Sequence, residues 1–232
     1  MHNLQTIVDV SFDAGFTYRG AFRPDSADAV PDCGFPEGAG TVVLLGNVGS
    51  DMWPAFSKGR RDEQDAMNNW TLRTLEALLP GLREQYGGAV MLYPFGPPPY
   101  HPFQRWAMRA EQVFSSPIGP LIHPEFGLWH AYRGALVLEK KLEIPALSKA
   151  ANPCDSCREK PCLSTCPVSA FAKGTYDVET CANYLVTPEG ETCLSGHCQA
   201  RRACPVGQEY AYVEDQSRFH MGVFRDLYAT KP

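Results

Sequence analysis

Apolar residues return every three or four positions in three stretches before position 120, and this spacing predicts helices. The stretches are LQTIVDVSFDAGF from Leu4, residues 62–79 and residues 103–114. The second stretch is the longest, and the Pro80-Gly81 pair directly after it predicts where that helix ends.

Shorter apolar runs lie between these stretches and predict strands. They cover residues 16–22, 41–49, 89–95 and 135–142, and TVVLLGNVG at 41–49 is apolar enough to be a buried strand. Segments rich in Pro, Asp and Gly separate them, and we expect loops at 23–40 and 118–127. Strands that alternate with helices predict a layered α/β arrangement for residues 1–149.

The composition excludes several classes of protein. The chain of 232 residues has 44% hydrophobic residues and a net charge of −5, with no dense stripe of Lys and Arg, so we expect no nucleic-acid partner. No apolar run reaches the ~18 residues that a membrane helix needs, so we expect no membrane partner. The first residues lack a basic segment followed by an apolar one, which predicts a reducing, cytoplasmic location.

Eight of the nine cysteines fall between positions 154 and 204, in two sets of four. Bacterial two-cluster ferredoxins hold one four-iron cluster with three neighbouring cysteines, and a fourth cysteine, which precedes proline, binds the other cluster. Here Cys166 precedes Pro167 and Cys204 precedes Pro205. By that rule one [4Fe–4S] cluster is held by Cys154, Cys157, Cys162 and Cys204, and the second by Cys181, Cys193, Cys198 and Cys166.

Two other uses of these cysteines compete with the clusters. Disulfides need an oxidising compartment, for which the sequence has no signal. Zinc favours paired C-x2-C knuckles, and Cys154 with Cys157 forms the one such pair. The gap of four residues between Cys157 and Cys162 is wider than the usual two. Cys33 stands apart in PDCGFPEGAG and is interpreted as a structural thiol.

The segment LIHPEFGLWHAYRGALVL at 121–138 resembles the HP-x-FG-x-W-x-x-x-RG stretch of CblC-type cobalamin-processing proteins. In the related epoxyqueuosine reductases and reductive dehalogenases, a corrinoid-binding domain precedes a two-cluster module. In epoxyqueuosine reductases a lone cysteine precedes an aromatic-Leu pair, much as Cys181 precedes Tyr184 and Leu185 here.

This resemblance implies an α+β protein with three parts. Residues 1–149 would form an α/β-type layered, nitroreductase/CblC-like ligand-binding domain, and residues 150–207 a bacterial ferredoxin-like two-cluster module. Residues 208–232 would form a helix that packs on the N-terminal domain.

The resemblance also implies a cofactor pocket in the N-terminal domain. Its corrinoid, cobalamin or another, would be lined by His123, Phe126, Gly127, Trp129 and Tyr132. Arg133 matches the arginine that faces the thiol-substrate side of the CblC pocket, which makes it the best candidate for a substrate contact. The alternative to a pocket role is that each of these residues packs within the fold and that Arg133 forms a salt bridge.

These observations predict an iron–sulfur redox protein that relays single electrons from a ferredoxin or flavoprotein to a small-molecule substrate or corrinoid in the N-terminal pocket. The chain has YPFGPPPYHP where epoxyqueuosine reductases place an aspartate before their ligand-facing helix. That difference favours an alternative, an electron carrier or assembly partner without an organic cofactor. A zinc-bound interaction module is the second alternative.

Overall fold

The computed structural model describes residues 4–147, 149–172 and 174–230. The contacts between residues divide the chain into two compact units. The first unit comprises Met1–Gln112 and His130–Lys149, and the second comprises Val113–Trp129 and Ala150–Pro232.

The described residues form helices and strands in both units. The strands are β1 (Thr17–Phe22), β2 (Thr41–Val48), β3 (Ala89–Leu92), β4 (Phe114–Ser115), β5 (Leu121–Ile122) and β6 (His130–Leu138). The α-helices are α1 (Leu4–Asp13), α2 (Trp53–Gly59), α3 (Ala66–Glu76), α4 (Leu79–Tyr86), α5 (Phe103–Ala110), α6 (Pro153–Ser156), α7 (Pro161–Ser164), α8 (Val178–Tyr184), α9 (Glu191–Gly196), α10 (Gln199–Arg202) and α11 (Glu214–Tyr228).

The first unit is built on an antiparallel sheet with the strand order β1-β2-β6-β3. The central strand β2 is buried along almost its whole length, as its apolar sequence TVVLLGNV predicts. Helices α1, α4 and α5 pack against the sheet. Phe16 and Trp70 stack with ring centroids 5.0 Å apart, and Phe56 meets the edge of Trp70. The predicted α+β class is confirmed, with a small antiparallel sheet.

Some predicted boundaries are wrong. The helix expected over 62–79 begins at Ala66 and ends at Glu76, and Pro80 lies in the first turn of α4 rather than after a helix. Proline is tolerated in a first turn because its missing N–H would have no partner there. Strand β6 begins at His130, five positions before the expected Ala135, so Tyr132 and Arg133 are strand residues.

The hairpin β4–β5 belongs to the second unit, where the sequence predicts the end of a helix and a loop. Ile118, Ile122 and Leu128 share a buried core with Phe171 and with other side chains of the cysteine-rich segment. This shared core explains why Val113–Trp129 departs from the predicted domain 1–149.

The C-terminal helix α11 contacts α8 and α9 and lies within the second unit. Its Phe224 ring stacks on Tyr176, with centroids 6.0 Å apart. Within the second unit α11 packs on the helices that carry Cys181 and Cys193, and the packing of residues 208–232 on the N-terminal domain stays a prediction. Residues 150–207 consist of short helices and turns in their described part, and the ferredoxin-like module remains a prediction based on cysteine spacing.

Candidate metal centre

Two of the cysteines lie on two short helices that begin with proline. Cys154 follows Pro153 in α6, and its backbone N–H donates to Asn152 Oδ1 at 3.0 Å, which caps the helix. Cys162 follows Pro161 in α7, after Lys160 at φ 41°. Each helix is one turn long, so the chain reverses often enough to bring sulfur atoms close together.

Cys204 is distant in sequence but lies near these cysteines. Burial raises the pKa of Cys154, and charge repulsion from Cys204, Cys162 and Cys157 raises it further. Burial also raises the pKa of Cys162, and charge repulsion from Cys204 and Cys157 raises it further. The sulfurs of Cys204, Cys157 and Cys162 are therefore electrostatic neighbours of Cys154, and the binding of one cluster by these four cysteines stays a prediction.

The other four cysteines line one small cavity of about 20 Å³ in the second unit. Cys166 comes from the loop after α7, Cys181 from α8, Cys193 from α9 and Cys198 from the start of α10. The remaining lining side chains are mostly apolar and include Phe171, Leu185 and Met221. Four cysteine sulfurs in apolar surroundings are the donor set that an iron–sulfur cluster uses.

Hydrogen-bond donors point at the sulfurs of this second set. The Ala170 N–H donates to Cys166 Sγ at 3.4 Å. Backbone N–H groups of Arg201 and Ala200 approach the sulfur of Cys198. Such donors stabilise the negative charge that thiolate ligands carry when they bind iron.

The Cys181 thiol has the most strongly shifted acidity of this set. Burial raises the pKa of the Cys181 thiol to about 11, and the neighbouring Tyr176 hydroxyl acts against that rise. A buried thiol with so high a pKa stays protonated at neutral pH unless a metal binds it. The chemistry of this set therefore suits metal ligation rather than a free reactive thiolate.

The spacing of the sulfurs bears on the kind of metal. Within residues 4–147, 149–172 and 174–230, no three His, Cys, Asp or Glu side chains lie close enough to bind a single metal ion. A zinc ion holds its sulfurs at ~2.3 Å and draws them together, whereas a cubane spreads four thiolates over four iron atoms.

His123, Phe126 and Gly127 are brought together in a tight turn of the second unit. The His123 Nδ1 accepts hydrogen bonds from the N–H groups of Glu125 and Phe126 at 3.1 and 3.2 Å, and its ring stacks on Phe126. Gly127 has φ +56°, and a Cβ there would lie 1.9 Å from the Val206 carbonyl oxygen. The backbone of Val206 thus makes a close approach at Gly127, and the contact of Gly127 with a cofactor stays a prediction.

Trp129 is fully buried in the second unit. Its ring lies 4.5 Å from the Arg201 guanidinium carbon and meets the rings of His197 and Tyr212 edge-on. The Arg201 guanidinium also lies 4.5 Å from the Tyr212 ring and donates to the Leu128 carbonyl. These contacts make Trp129 a packing residue of the second unit, and its stacking on a macrocycle stays a prediction.

Tyr132 lies in a buried polar network of the first unit. Its hydroxyl donates to Glu111 Oε1, which also accepts from Arg19 Nη2 at 2.8 Å. Burial raises the Tyr132 pKa far above its usual value, and the Glu111 charge raises it further. Arg19 is 1% exposed and lies 5.6 Å from the Tyr132 ring. Tyr132 therefore completes a charged network of the fold, and its part in lining a cofactor pocket stays a prediction.

Arg133 follows Tyr132 on β6 and contacts different partners. Its Nη2 donates to Asn68 Oδ1 at 2.6 Å and to Thr71 Oγ1 at 3.1 Å, and its guanidinium carbon lies 5.2 Å from the Phe95 ring. Asn68 and Thr71 come from α3. Their neutral oxygens orient the guanidinium. Of the six predicted pocket residues, Arg133 has the contacts that agree best with its predicted role, which is to bind a substrate.

The second unit contains two features that the sequence analysis missed. Arg201 lies between Cys198 and Cys204 in sequence, and that position was the one available sign of its importance. Tyr176 has no sequence motif around it, and its stacking on Phe171 and Phe224 becomes visible only once the chain is folded.

The fold is similar to that of two groups of solved structures. An epoxyqueuosine reductase with an epoxyqueuosine-modified tRNA-Tyr stem loop aligns with 90% of this chain, at a TM-score of 0.54 and 15% identity. A selenomethionine-labelled epoxyqueuosine reductase aligns with 92%, at a TM-score of 0.54 and 15% identity. The chain spans about two thirds of the length of these reductases, 66% and 68%.

A B12-trafficking protein CblC from C. elegans, a human MMACHC homologue, has a TM-score of 0.55 and 16% identity to this chain. The match covers 96% of this chain and 94% of that one. No family model and no curated protein matches the chain. At these identities the comparisons establish the fold alone, which is that of the CblC and epoxyqueuosine reductase structures. Within its described residues the chain has no helix long and apolar enough to cross a membrane.

Proposed function

We propose that this protein is an iron–sulfur redox protein with two [4Fe–4S] clusters that relays single electrons. Cys154, Cys157, Cys162 and Cys204 would hold one cluster, and Cys166, Cys181, Cys193 and Cys198 the second. The observation that carries the proposal is the cavity lined by all four cysteines of the second set. A cluster held there would supply one-electron chemistry, and the chain would contribute its ligands, hydrogen bonds and shelter from water.

The electron acceptor would be a corrinoid, or a small molecule bound by the first unit with Arg133 as its contact. The likeness in fold to CblC and to epoxyqueuosine reductase supports this class of reaction. A ferredoxin or flavoprotein would serve as the donor. A planar guanidinium oriented by Asn68 and Thr71 suits a carboxylate or phosphate group of the substrate.

Anaerobic purification followed by iron, sulfide, cobalt and zinc analysis tests the clusters. We expect about eight iron and eight acid-labile sulfide per chain with a broad brown absorption. Pale protein with almost no acid-labile sulfide would overturn the proposal, and zinc in its place would favour an interaction module.

A second candidate is an electron carrier or assembly partner without an organic cofactor. Two observations favour it: YPFGPPPYHP replaces the expected aspartate, and Gly127 and Trp129 are packed by protein. Titration of the cluster-loaded protein with hydroxocobalamin separates the two candidates. A spectral shift with co-elution on a sizing column supports the corrinoid function, and neither effect supports the carrier.

We propose that the protein has no nucleic-acid partner, because its net charge is −5. One similar structure does contain a tRNA stem loop, so the proposal needs its own measurement. We expect no retention of a labelled tRNA stem loop by the cluster-loaded protein at 100–150 mM salt, roughly the physiological range. Saturable binding that weakens steeply with added salt would reverse this part of the proposal.

A further inference from the structure

The second unit contains a polar cleft besides the small cavity of the second cysteine set. Its volume is about 600 Å³, and it is lined by the end of α9, the end of α10 and the segment that leads into α11. Small-molecule sites in proteins typically have volumes of ~300–1,000 Å³. The cleft is therefore large enough for a ligand.

One wall of the cleft is fixed by a strained residue. His197 has φ 82° and ψ 159°, a backbone region that is essentially restricted to glycine. Its ring meets the Trp129 ring edge-on with centroids 5.2 Å apart, and its Nε2 lies 3.0 Å from Ser217 Oγ. Strain of this kind persists only where the surroundings hold the residue, and it is common at ligand clamps.

Arg202 supplies the positive charge of the cleft. It is exposed, and its Nη1 donates to the Gly196 carbonyl at 2.9 Å, which orients the guanidinium. A guanidinium has several N–H donors, so this one bond leaves others for a ligand. The Gln208 Nε2 donates to the carbonyl of Arg202 at 2.7 Å and to that of Cys204, so it joins the segment before α11 to α10.

The charge of the walls favours an anion. Glu214 is the carboxylate among the lining residues, but it is 74% exposed and lies 3.7 Å from Arg218. The lining residue Tyr212 is buried, and the Arg201 guanidinium carbon lies 4.5 Å from its ring, which places a second positive charge beside this wall. In the part of the chain that the structure describes, no three His, Cys, Asp or Glu side chains are close enough to hold a metal ion.

We propose that this cleft binds a small oxyanion, a carboxylate or a phosphate, with Arg202 as its main contact. The planar fork of an arginine matches both groups, because it can donate two parallel hydrogen bonds to their oxygens. The inference goes beyond the proposed electron relay, since the ligand would bind to side chains and not to a cluster.

Isothermal titration calorimetry of the anaerobic full chain with sodium phosphate, and separately with sodium succinate, tests the site. Sodium chloride keeps the ionic strength constant, because salt screens charge interactions. We expect saturable binding at one site per chain. Binding of phosphate alone identifies a phosphate ligand, and binding of succinate alone identifies a carboxylate ligand. Absence of saturable binding for both anions would overturn the inference.

Arg202→Gln should weaken this binding at least about tenfold, which is the effect of losing hydrogen bonds to a charged group. The matched control is Arg225→Gln, because Arg225 belongs to the same unit and pairs with Asp226 at 2.8 Å outside the cleft. We expect the control to bind as the wild type does. Equal weakening in the two variants would show an effect of net charge and would refute the site.

A second variant covers the case in which Arg202→Gln does not fold. Glu214→Gln removes a negative charge from the wall and should tighten anion binding about two- to fivefold. Unchanged or weaker binding would contradict an oxyanion site. Iron and sulfide analysis of the same samples keeps the two proposals apart: a protein that holds both clusters and binds neither anion refutes this inference alone.

Discussion

Gly127 and Gly207 lie so close to each other's turns that neither position has room for a side chain. A Cβ on Gly127 would lie 1.9 Å from the Val206 oxygen, and a Cβ on Gly207 would lie 2.3 Å from the Phe126 carbonyl carbon. Both residues have positive φ, +56° and +71°. The contact joins the segment after β5 to the segment after Cys204, and so couples the resemblance motif to the cysteine framework within one unit.

Gly127→Ala should destabilise the second unit strongly. The positive φ costs ~1–3 kcal/mol in a residue with a side chain, and overpacking against Val206 costs about the same again. Denaturant unfolding of the anaerobic protein measures the loss. Gly119→Ala is the control, because Gly119 has φ +102° but nothing within 4 Å of its Cβ position. Equal losses in the two variants would mean that backbone strain, and not the contact with Val206, is what matters.

Arg201→Lys should loosen the aromatic sandwich around Trp129 and Tyr212. Lysine keeps the charge but loses the planar fork that donates twice to the Leu128 carbonyl. We expect a loss of ~1–2 kcal/mol in unfolding free energy and a change in near-ultraviolet circular dichroism. Arg202→Lys is the matched control, since Arg202 is exposed and donates to the Gly196 carbonyl. A control variant as unstable as Arg201→Lys would refute the role of the sandwich.

Cys166→Ser should remove the second cluster, although Cys166 follows three cysteines of the first set in sequence. Its sulfur lines the cavity with Cys181, Cys193 and Cys198. We expect the iron content to fall by about half, with the EPR signal of the other cluster retained. Cys33→Ser, a change in the first unit, should leave the iron content unchanged. Loss of the Cys154 cluster instead would show that the crossed assignment is wrong.

Tyr132→Phe should cost the first unit ~1.5–3 kcal/mol at neutral pH, because the hydroxyl donates to the carboxylate of Glu111. Burial first, and then the Glu111 charge, raises the folded-state pKa of Tyr132 above the unfolded value of 10.0. Its contribution is therefore complete below pH 10.0 and falls as the pH rises further, because the unfolded chain then loses a proton that the folded chain keeps. Unfolding curves from pH 7 to pH 11 should show the difference between wild type and variant shrinking at the alkaline end. A constant difference would contradict this account.

Removal of the clusters should affect the two units unequally. The ligands and the core around Phe171 and Cys204 belong to the second unit, whereas the sheet of β1, β2, β3 and β6 contains no cysteine. Hydrogen exchange after anaerobic chelation should show lost protection at 113–129 and 150–230, with β2 and β6 still protected. Equal loss in both units would mean that they do not fold separately.

The helices and strands with a regular apolar spacing were predictable, because that spacing indicates which side chains are buried. The run TVVLLGNV has no alternative to a buried strand, and Leu4, Ile7 and Val8 give α1 its apolar face. The helix boundaries were less predictable, because a proline such as Pro80 is compatible both with the first turn of a helix and with the residues directly after one. The strand character of Tyr132 depends on its pairing with Gly46 of β2, and Arg133 is the extra residue where the register shifts, which no local pattern shows.

The site shows the same division. Trp129 and Gly127 stand in a motif that resembles ligand-binding proteins, yet their neighbours are Arg201 and Val206, more than 70 residues further along the chain. The sequence can identify a residue that has a close neighbour. It cannot identify that neighbour when the neighbour comes from a distant segment of the chain.

By itself the sequence determined the grouping of eight cysteines, since spacing and the two Cys-Pro pairs are local properties of the chain. It also determined the apolar runs that become β2 and α1. Only the tertiary structure decided that 113–129 and α11 join the cysteine helices, because a shared apolar core is made by side chains distant in sequence. It decided as well that Tyr176 stacks on both Phe171 and Phe224, since these rings come from segments that are distant in sequence.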